Sequence, residues 1–158
     1  MENDIIMMQM ALAQARLAAE TDEVPIGAVL LGPNGELWAQ SHNLTITNND
    51  PTAHAEILAL RAAARIIGNY RLTGASLYTT IEPCIMCMGA LIHARIGRVV
   101  FGAYDEKWGG CGSIYNLANE ERLNHRIEVI GGVMADECRG IMRDFFAKKR
   151  FRDRPYDN

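Results

Sequence analysis

Hydrophobic positions recur at steps of three and four through Ile5, Met8, Leu12, Ala15 and Ala19, a spacing that predicts an amphipathic first helix. Val24 to Leu31, the turn Gly32-Pro33-Asn34-Gly35, and Glu36 to Gln40 follow as a β-hairpin. The pattern then lapses into a polar stretch from Ser41 to Thr52, dense in Asn, Asp and Thr. It resumes as a second helix from about Ala53 to Ile67, with Asp50 or Thr52 as cap and Gly68-Asn69 as stop. From there strand and helix alternate: strand Ala75 to Thr80, helix Cys84 to Ala94 and strand Arg98 to Gly102. A glycine-rich loop from Lys107 to Gly112 comes next. A short helix near Tyr115 to Glu121, a strand near Arg126 to Ile130 and a last helix from about Ala135 end the pattern. An opening hairpin followed by alternating units predicts an α/β sandwich with a mixed sheet.

Composition adds bounds. The 158 residues, 49% hydrophobic and 22% charged, are expected to form one domain spanning 1–158 around one core. The uncharged run Ile5 to Ala15 is too short to span a bilayer and follows acidic residues, so no membrane segment or signal peptide is expected and the cytoplasm is the default location. Charge changes the picture only near the end of the chain. The total is −3, yet Arg139 to Arg154 carries seven basic residues against Asp144 and Asp153, a local balance of +5. Phe145, Phe146 and Phe151 are interleaved with those cations, as a surface that grips a nucleic-acid backbone and stacks bases would need. Phe145, Lys148, Lys149 and Arg150 are the residues expected to touch it. The competing reading is an amphipathic helix whose phenylalanines pack on the core and whose charges are solvated.

Two short stretches carry chemistry: His54-Ala55-Glu56 and Pro83-Cys84-Ile85-Met86-Cys87. Both fall at predicted helix starts. Cys84 and Cys87 are three apart, so on a first turn their sulfurs share a face, and the positive helix end favours thiolates. Two thiolates and an imidazole form a set suited to Zn²⁺. Three protein ligands leave a position open, the mark of a catalytic rather than a structural zinc. Two thiolates also cancel the metal charge, so a nearby base is useful, and Glu56 is placed to serve as proton shuttle rather than ligand.

Alone, a C-x-x-C can be a redox pair or half a structural site, and a His-x-Glu can be a plain surface helix start. A closed Cys₄ site would need Cys111 and Cys138, which are 27 residues apart with no second C-x-x-C, and would leave Glu56 idle. A Cys₂His dehydrogenase would need a dinucleotide site, but Gly110-Cys111-Gly112 lacks the later glycine of that fingerprint. His93 and His125 have no ligand-spaced partners and are expected to be structural.

Val24-Pro25-Ile26-Gly27-Ala28-Val29, Asp50-Pro51-Thr52-Ala53-His54-Ala55-Glu56 and Glu82-Pro83-Cys84-Ile85-Met86-Cys87 together resemble the cytidine deaminase-like superfamily. Arg95 to Ala103, Asn124-His125-Arg126, Asp136-Glu137-Cys138 and Asp144-Phe145-Phe146 narrow the resemblance to its bacterial tRNA-specific adenosine deaminases. The resemblance implies a three-layer sandwich around a mixed five-stranded sheet, a homodimer with one zinc per subunit, and conversion of adenosine to inosine at the wobble position of a tRNA anticodon stem-loop. It implies His54, Cys84 and Cys87 as ligands, Glu56 as proton shuttle, Asn43 as a residue holding the flipped nucleoside and Asp105 as a neighbour of the RNA backbone. Trp108 departs from the pattern, which calls for a smaller or polar residue there. Two other functions share these motifs: deamination of a small nucleobase or nucleoside (cytidine, deoxycytidylate or guanine), and a non-catalytic, zinc-stabilised RNA-binding module.

Overall fold

A computed structural model describes residues 1–153. The elements are α1 (Glu2–Glu20), β1 (Gly27–Leu31), β2 (Leu37–His42), α2 (Ala55–Ile67), β3 (Ser76–Ile81), α3 (Ile85–His93), β4 (Arg98–Ala103), a single 3₁₀ turn (Leu117–Asn119), β5 (Glu128–Gly131) and α4 (Ala135–Arg152). The five strands form one mixed sheet in the order β2-β1-β3-β4-β5. β1 pairs antiparallel with both β2 and β3, whereas β3–β4 and β4–β5 are parallel. The hairpin and the strand–helix alternation expected from the pattern are both present.

Side-chain alternation divides the core between the two faces of the sheet. Ala28, Leu30, Leu77, Val99 and Phe101 pack with α2 and α3, while Val29, Leu31, Tyr78 and Val100 pack with Met8, Ala11 and Leu12 of α1 and Cys138 of α4. Helices therefore cover both faces, giving the three-layer sandwich. β1 is buried along its whole length, which is why it reads as a continuous apolar run rather than an alternating one. The approach of α1 to the start of β1 is close enough to require glycine, since a Cβ at Gly27 would lie 2.0 Å from the carbonyl oxygen of Ala11. Arg98 on β4 donates to both carboxylate oxygens of Asp4, each at 2.9 Å, and Tyr78 donates to the same carboxylate, tying the start of α1 to the sheet.

Three local readings change. Met8, Leu12 and Ala15 are buried, but Ile5 is exposed, because the buried stripe begins instead at Asp4. The cap of α2 is His54, not Asp50 or Thr52; Asp50 Oδ1 accepts the backbone N–H and hydroxyl of Thr52, closing a turn ahead of the helix. The expected short helix near Tyr115 to Glu121 is only the 3₁₀ turn. The stop of α2 is as expected, with Gly68 left-handed at φ 72°. His125 is structural, its Nε2 2.7 Å from the carbonyl oxygen of Ile96. Among the described residues, no helix is long and apolar enough to cross a membrane.

Candidate metal centre and substrate pocket

The N-termini of α2 and α3 converge. His54 caps α2 with extended backbone (φ −71°, ψ 150°), and Cys84 caps α3 in the same way (φ −73°, ψ 175°). Cys87 is three residues further on, where an N-cap side chain and the third helical position face each other. His54 Nδ1 lies 3.6 Å from Cys84 Sγ and 3.5 Å from Cys87 Sγ, and the three ligand atoms all fall within 4.8 Å of one another. A sulfur and a nitrogen held at ordinary bond lengths on a tetrahedral zinc stand about 3.5 Å apart. Donor set and spacing both fit Zn²⁺.

Electrostatics at the cluster follow from burial and shared protons. Hydrogen bonding with Cys87 pulls the Cys84 thiol down to about 4, with His54 adding to the effect. The same pairing, together with burial, pushes Cys87 up. His54 is raised, chiefly by its bond with Cys84. Glu56, in the first turn of α2, is 3% exposed, and its Oε2 lies 3.6 Å from Cys87 Sγ. Burial raises its pKa above the ordinary carboxylate value. The carboxyl thus stands beside the three-ligand cluster rather than within it.

Asn43, just beyond β2, is buried, and its Oδ1 accepts the backbone N–H of Ala55 at 2.9 Å. It satisfies a first-turn donor of α2 from outside the helix, while Ser41 Oγ donates to the Ala55 carbonyl. An open pocket of about 710 Å³ lies over these groups, lined by Asn43, His54, Glu56, Cys84, Asp105 and Trp108, with Thr45, Lys107, Met142 and Phe146 around them. The structure thus gathers His54, Cys84, Glu56, Asn43 and Asp105 at one cavity, with Cys87 fully buried against His54 and Glu56. Asp105 has a local task as well: its Oδ1 accepts the backbone N–H groups of Lys107 and Trp108, shaping the loop turn.

The aromatic contribution of α4 requires a correction. Phe145 is buried, 8% exposed, so its ring is not available to a base. Phe146 is the ring that faces the pocket, 37% exposed and edge-on to Phe145 at 5.3 Å. Helical geometry puts Met142, Phe146, Lys149 and Arg150 on one face, whereas Lys148 lies with Ile141, Phe145 and Arg152 along a groove against α1. Lys148, Lys149 and Arg150 are all exposed. Arg154, counted in the local charge, lies outside the described residues.

Sequence reasoning missed Glu82, Met142 and the pocket role of Phe146. The period of α4 puts Phe145 and Phe146 on different faces, but which face is buried depends on how the helix docks against α1. Glu82 stands directly before Pro83-Cys84, but no spacing rule marks what it binds.

Comparison with known proteins agrees with this geometry. Residues 1–103 match the family model for the cytidine and deoxycytidylate deaminase zinc-binding region. A tRNA-specific adenosine deaminase of Bacillus subtilis (strain 168) is 47% identical over 150 residues, covering 95% of this chain and 92% of the relative. One from Haemophilus influenzae is 47% identical over 149 residues, covering 94% and 86%. A solved structure from work on A-to-I editing by tRNA:A34 deaminases at the wobble position of transfer RNA superposes with a TM-score of 0.82 at 44% identity, covering 85% of this chain and 97% of that one. A guanine deaminase from Nitrosomonas europaea superposes with a TM-score of 0.79 at 26% identity, covering 90% and 84%. This chain belongs to the cytidine and deoxycytidylate deaminase family, on the branch of its tRNA-specific adenosine deaminase relatives.

Proposed function

We propose that this protein is a zinc-dependent hydrolase that converts adenosine to inosine at the wobble position of a tRNA anticodon stem-loop. The observation that carries the reading is the 47% identity to a tRNA-specific adenosine deaminase along 95% of the chain, with the His54–Cys84–Cys87 cluster and Glu56 brought together beside one pocket. His54, Cys84 and Cys87 hold the metal. Zinc held there would supply Lewis acidity that eases deprotonation of the attacking water.

Everything else falls to the chain's own groups. Glu56, whose burial raises its affinity for a proton, takes a proton from the attacking water and delivers it to N1 of the adenine. It then takes the proton of the new C6 hydroxyl and passes it to the departing amine, so that ammonia leaves inosine behind. Asn43 orients the nucleoside through its amide NH₂, because its oxygen is already committed to Ala55. The deep position of Glu56 requires a base that leaves its stack, and an anticodon loop offers such a base at low cost. Lys149 and Arg150 continue the pocket-facing side of α4 and suit the phosphates of the bound strand. A homodimer is supported by the exposed apolar side chains Ile85, Met86, Ile114 and Tyr115 around α3 and the loop that follows β4.

A substrate panel tests the reading: total tRNA, an anticodon stem-loop, free adenosine, cytidine, deoxycytidylate and guanine. Inosine formed in the stem-loop and tRNA alone is the expected result. Turnover of a free base or nucleoside with none on RNA overturns it in favour of a small-molecule deaminase. No turnover of any substrate by the zinc-loaded protein overturns it in favour of a binding module.

A further inference from the structure

Glu82 is a buried carboxylate with no task in the chemistry above. It is 1% exposed, and no cation pairs with it among the described residues. Four donors from one loop meet it instead. The backbone N–H of Asp105 donates to Oε1 at 3.2 Å, those of Cys111 and Ser113 donate to Oε2 at 3.0 Å each, and the Ser113 hydroxyl donates to Oε1. The two carboxyl oxygens accept all four, whereas an amide at this position would turn an NH₂ toward N–H groups. Loop and ligand segment are joined further by the Gly110 N–H, which donates to the Pro83 carbonyl at 2.8 Å, and by a bridge between Gly109 and Cys84. Glycine is required at 109, where a Cβ would lie 2.2 Å from Glu82 Oε2.

That loop carries Trp108, which is 68% exposed at the pocket rim beside Lys107. A large apolar ring left in water, with a cation beside it and a nucleobase pocket below it, suits stacking against an unpaired base. Its backbone is held from two sides, by the Asp105 side chain and, through Asp105, Cys111 and Ser113, by Glu82. We propose that Trp108 is a stacking platform for a nucleotide flanking the reacting adenosine and that Glu82 is the positioning residue that fixes it. The inference rests on the tRNA deamination reading and deepens it. It assigns to this loop a preference for a base presented in a strand over a free nucleoside.

The test uses the zinc-loaded protein, an anticodon stem-loop and free adenosine. Trp108→Ala is expected to raise KM for the stem-loop on the order of tenfold, the scale of one missing base stack, with kcat within about twofold of wild type. Glu82→Gln is expected to raise KM in the same direction with zinc still near one per chain. The double variant is expected to be no worse than the worse single one, because both act through one ring. Trp38→Phe leaves Trp108 as the lone tryptophan, excited selectively at the red edge of the protein absorption. In a Trp38→Phe, Glu56→Ala background, RNA is expected to quench it, and adding Glu82→Gln is expected to weaken that quenching and open the indole to acrylamide. Ser113→Ala, which removes a single donor, serves if Glu82→Gln does not fold. Unchanged KM and quenching in the Glu82 or Ser113 variant, even with a lowered melting temperature, overturn the positioning role. Unchanged KM in Trp108→Ala, or a shift to a smaller species in sedimentation, overturns the platform and makes Trp108 part of a subunit interface. A wild-type protein inert on the stem-loop overturns the deamination reading itself, whereas an active wild type matched by its variants overturns only this inference.

Discussion

Asn43 Oδ1 accepts the N–H of Ala55 at 2.9 Å, and that bond decides which end of the amide is left toward the pocket. A backbone N–H can be met only by oxygen, so the NH₂ is left for the pocket. Asn43→Asp keeps an acceptor for Ala55 and removes both donors. Its melting temperature is expected to stay near wild type while KM rises at least about tenfold, the scale of one missing hydrogen bond whose partner stays buried. Asn43→Ala removes both roles and is expected to cost about 1 kcal/mol of stability as well, as removal of a helix cap does. Thermal unfolding and steady-state kinetics on the two variants check this; equal stability in both would deny the capping role.

Glu56 stands beside the metal cluster without belonging to it. Glu56→Ala is expected to keep zinc near one per chain and the fold intact, while deamination falls by about 10²- to 10⁴-fold, as for removal of an acid–base group. Metal analysis and circular dichroism, run beside the assay, check both halves. Release of zinc by this variant would make Glu56 a ligand.

Removal of the metal probes the three ligands directly. Cys87 is fully buried and is one of the three clustered donors, so Cys87→Ala or chelation of the native protein is expected to abolish activity. Restoring zinc is expected to return activity to the chelated native protein and not to the variant. Metal content by atomic emission, followed through one cycle of stripping and reloading, is the measurement.

The basic residues of α4 are not equivalent. Lys149→Ala with Arg150→Ala is expected to weaken binding of the stem-loop and to flatten its salt dependence, by about 0.7 to 0.9 in slope for each phosphate no longer neutralised. Lys148→Ala, on the groove toward α1, is expected to leave both nearly unchanged. Binding measured across a salt series checks the contrast. Equal effects from Lys148 and from the pair would mean that the RNA wraps the helix instead of following its pocket face.

Acid stability is expected to track Asp4. The Arg98 guanidinium holds this carboxyl below its ordinary value of 3.8. A lowered carboxyl contributes stability above the ordinary value, and that contribution disappears as pH falls through the lowered folded value. Asp4→Asn is therefore expected to melt below wild type at neutral pH, with the gap closing as pH drops beneath about 4. Melting temperatures measured from pH 7 down to pH 2 check it; a constant gap would place the effect elsewhere.

Much of this protein was legible from residues close together in the chain. Cys84 and Cys87 are one helical turn apart, and Gly68 is a residue that takes a left-handed stop without strain. The apolar run of β1 declares a strand covered on both faces. Such features arise because the rise and turn of a helix, or the pleat of a strand, are set over a few residues. The zinc set was legible for the same reason, since donor chemistry belongs to the residue type. Tertiary structure alone decided the rest. Phe145 and Phe146 are neighbours in sequence, yet helix phase and the position of α1 bury one and turn the other to the pocket. Asn43 meets Ala55 across a loop, and Glu82 meets Asp105, Cys111 and Ser113 from 23 to 31 residues away. No periodicity encodes those bonds, because they depend on where whole strands and helices come to rest against one another.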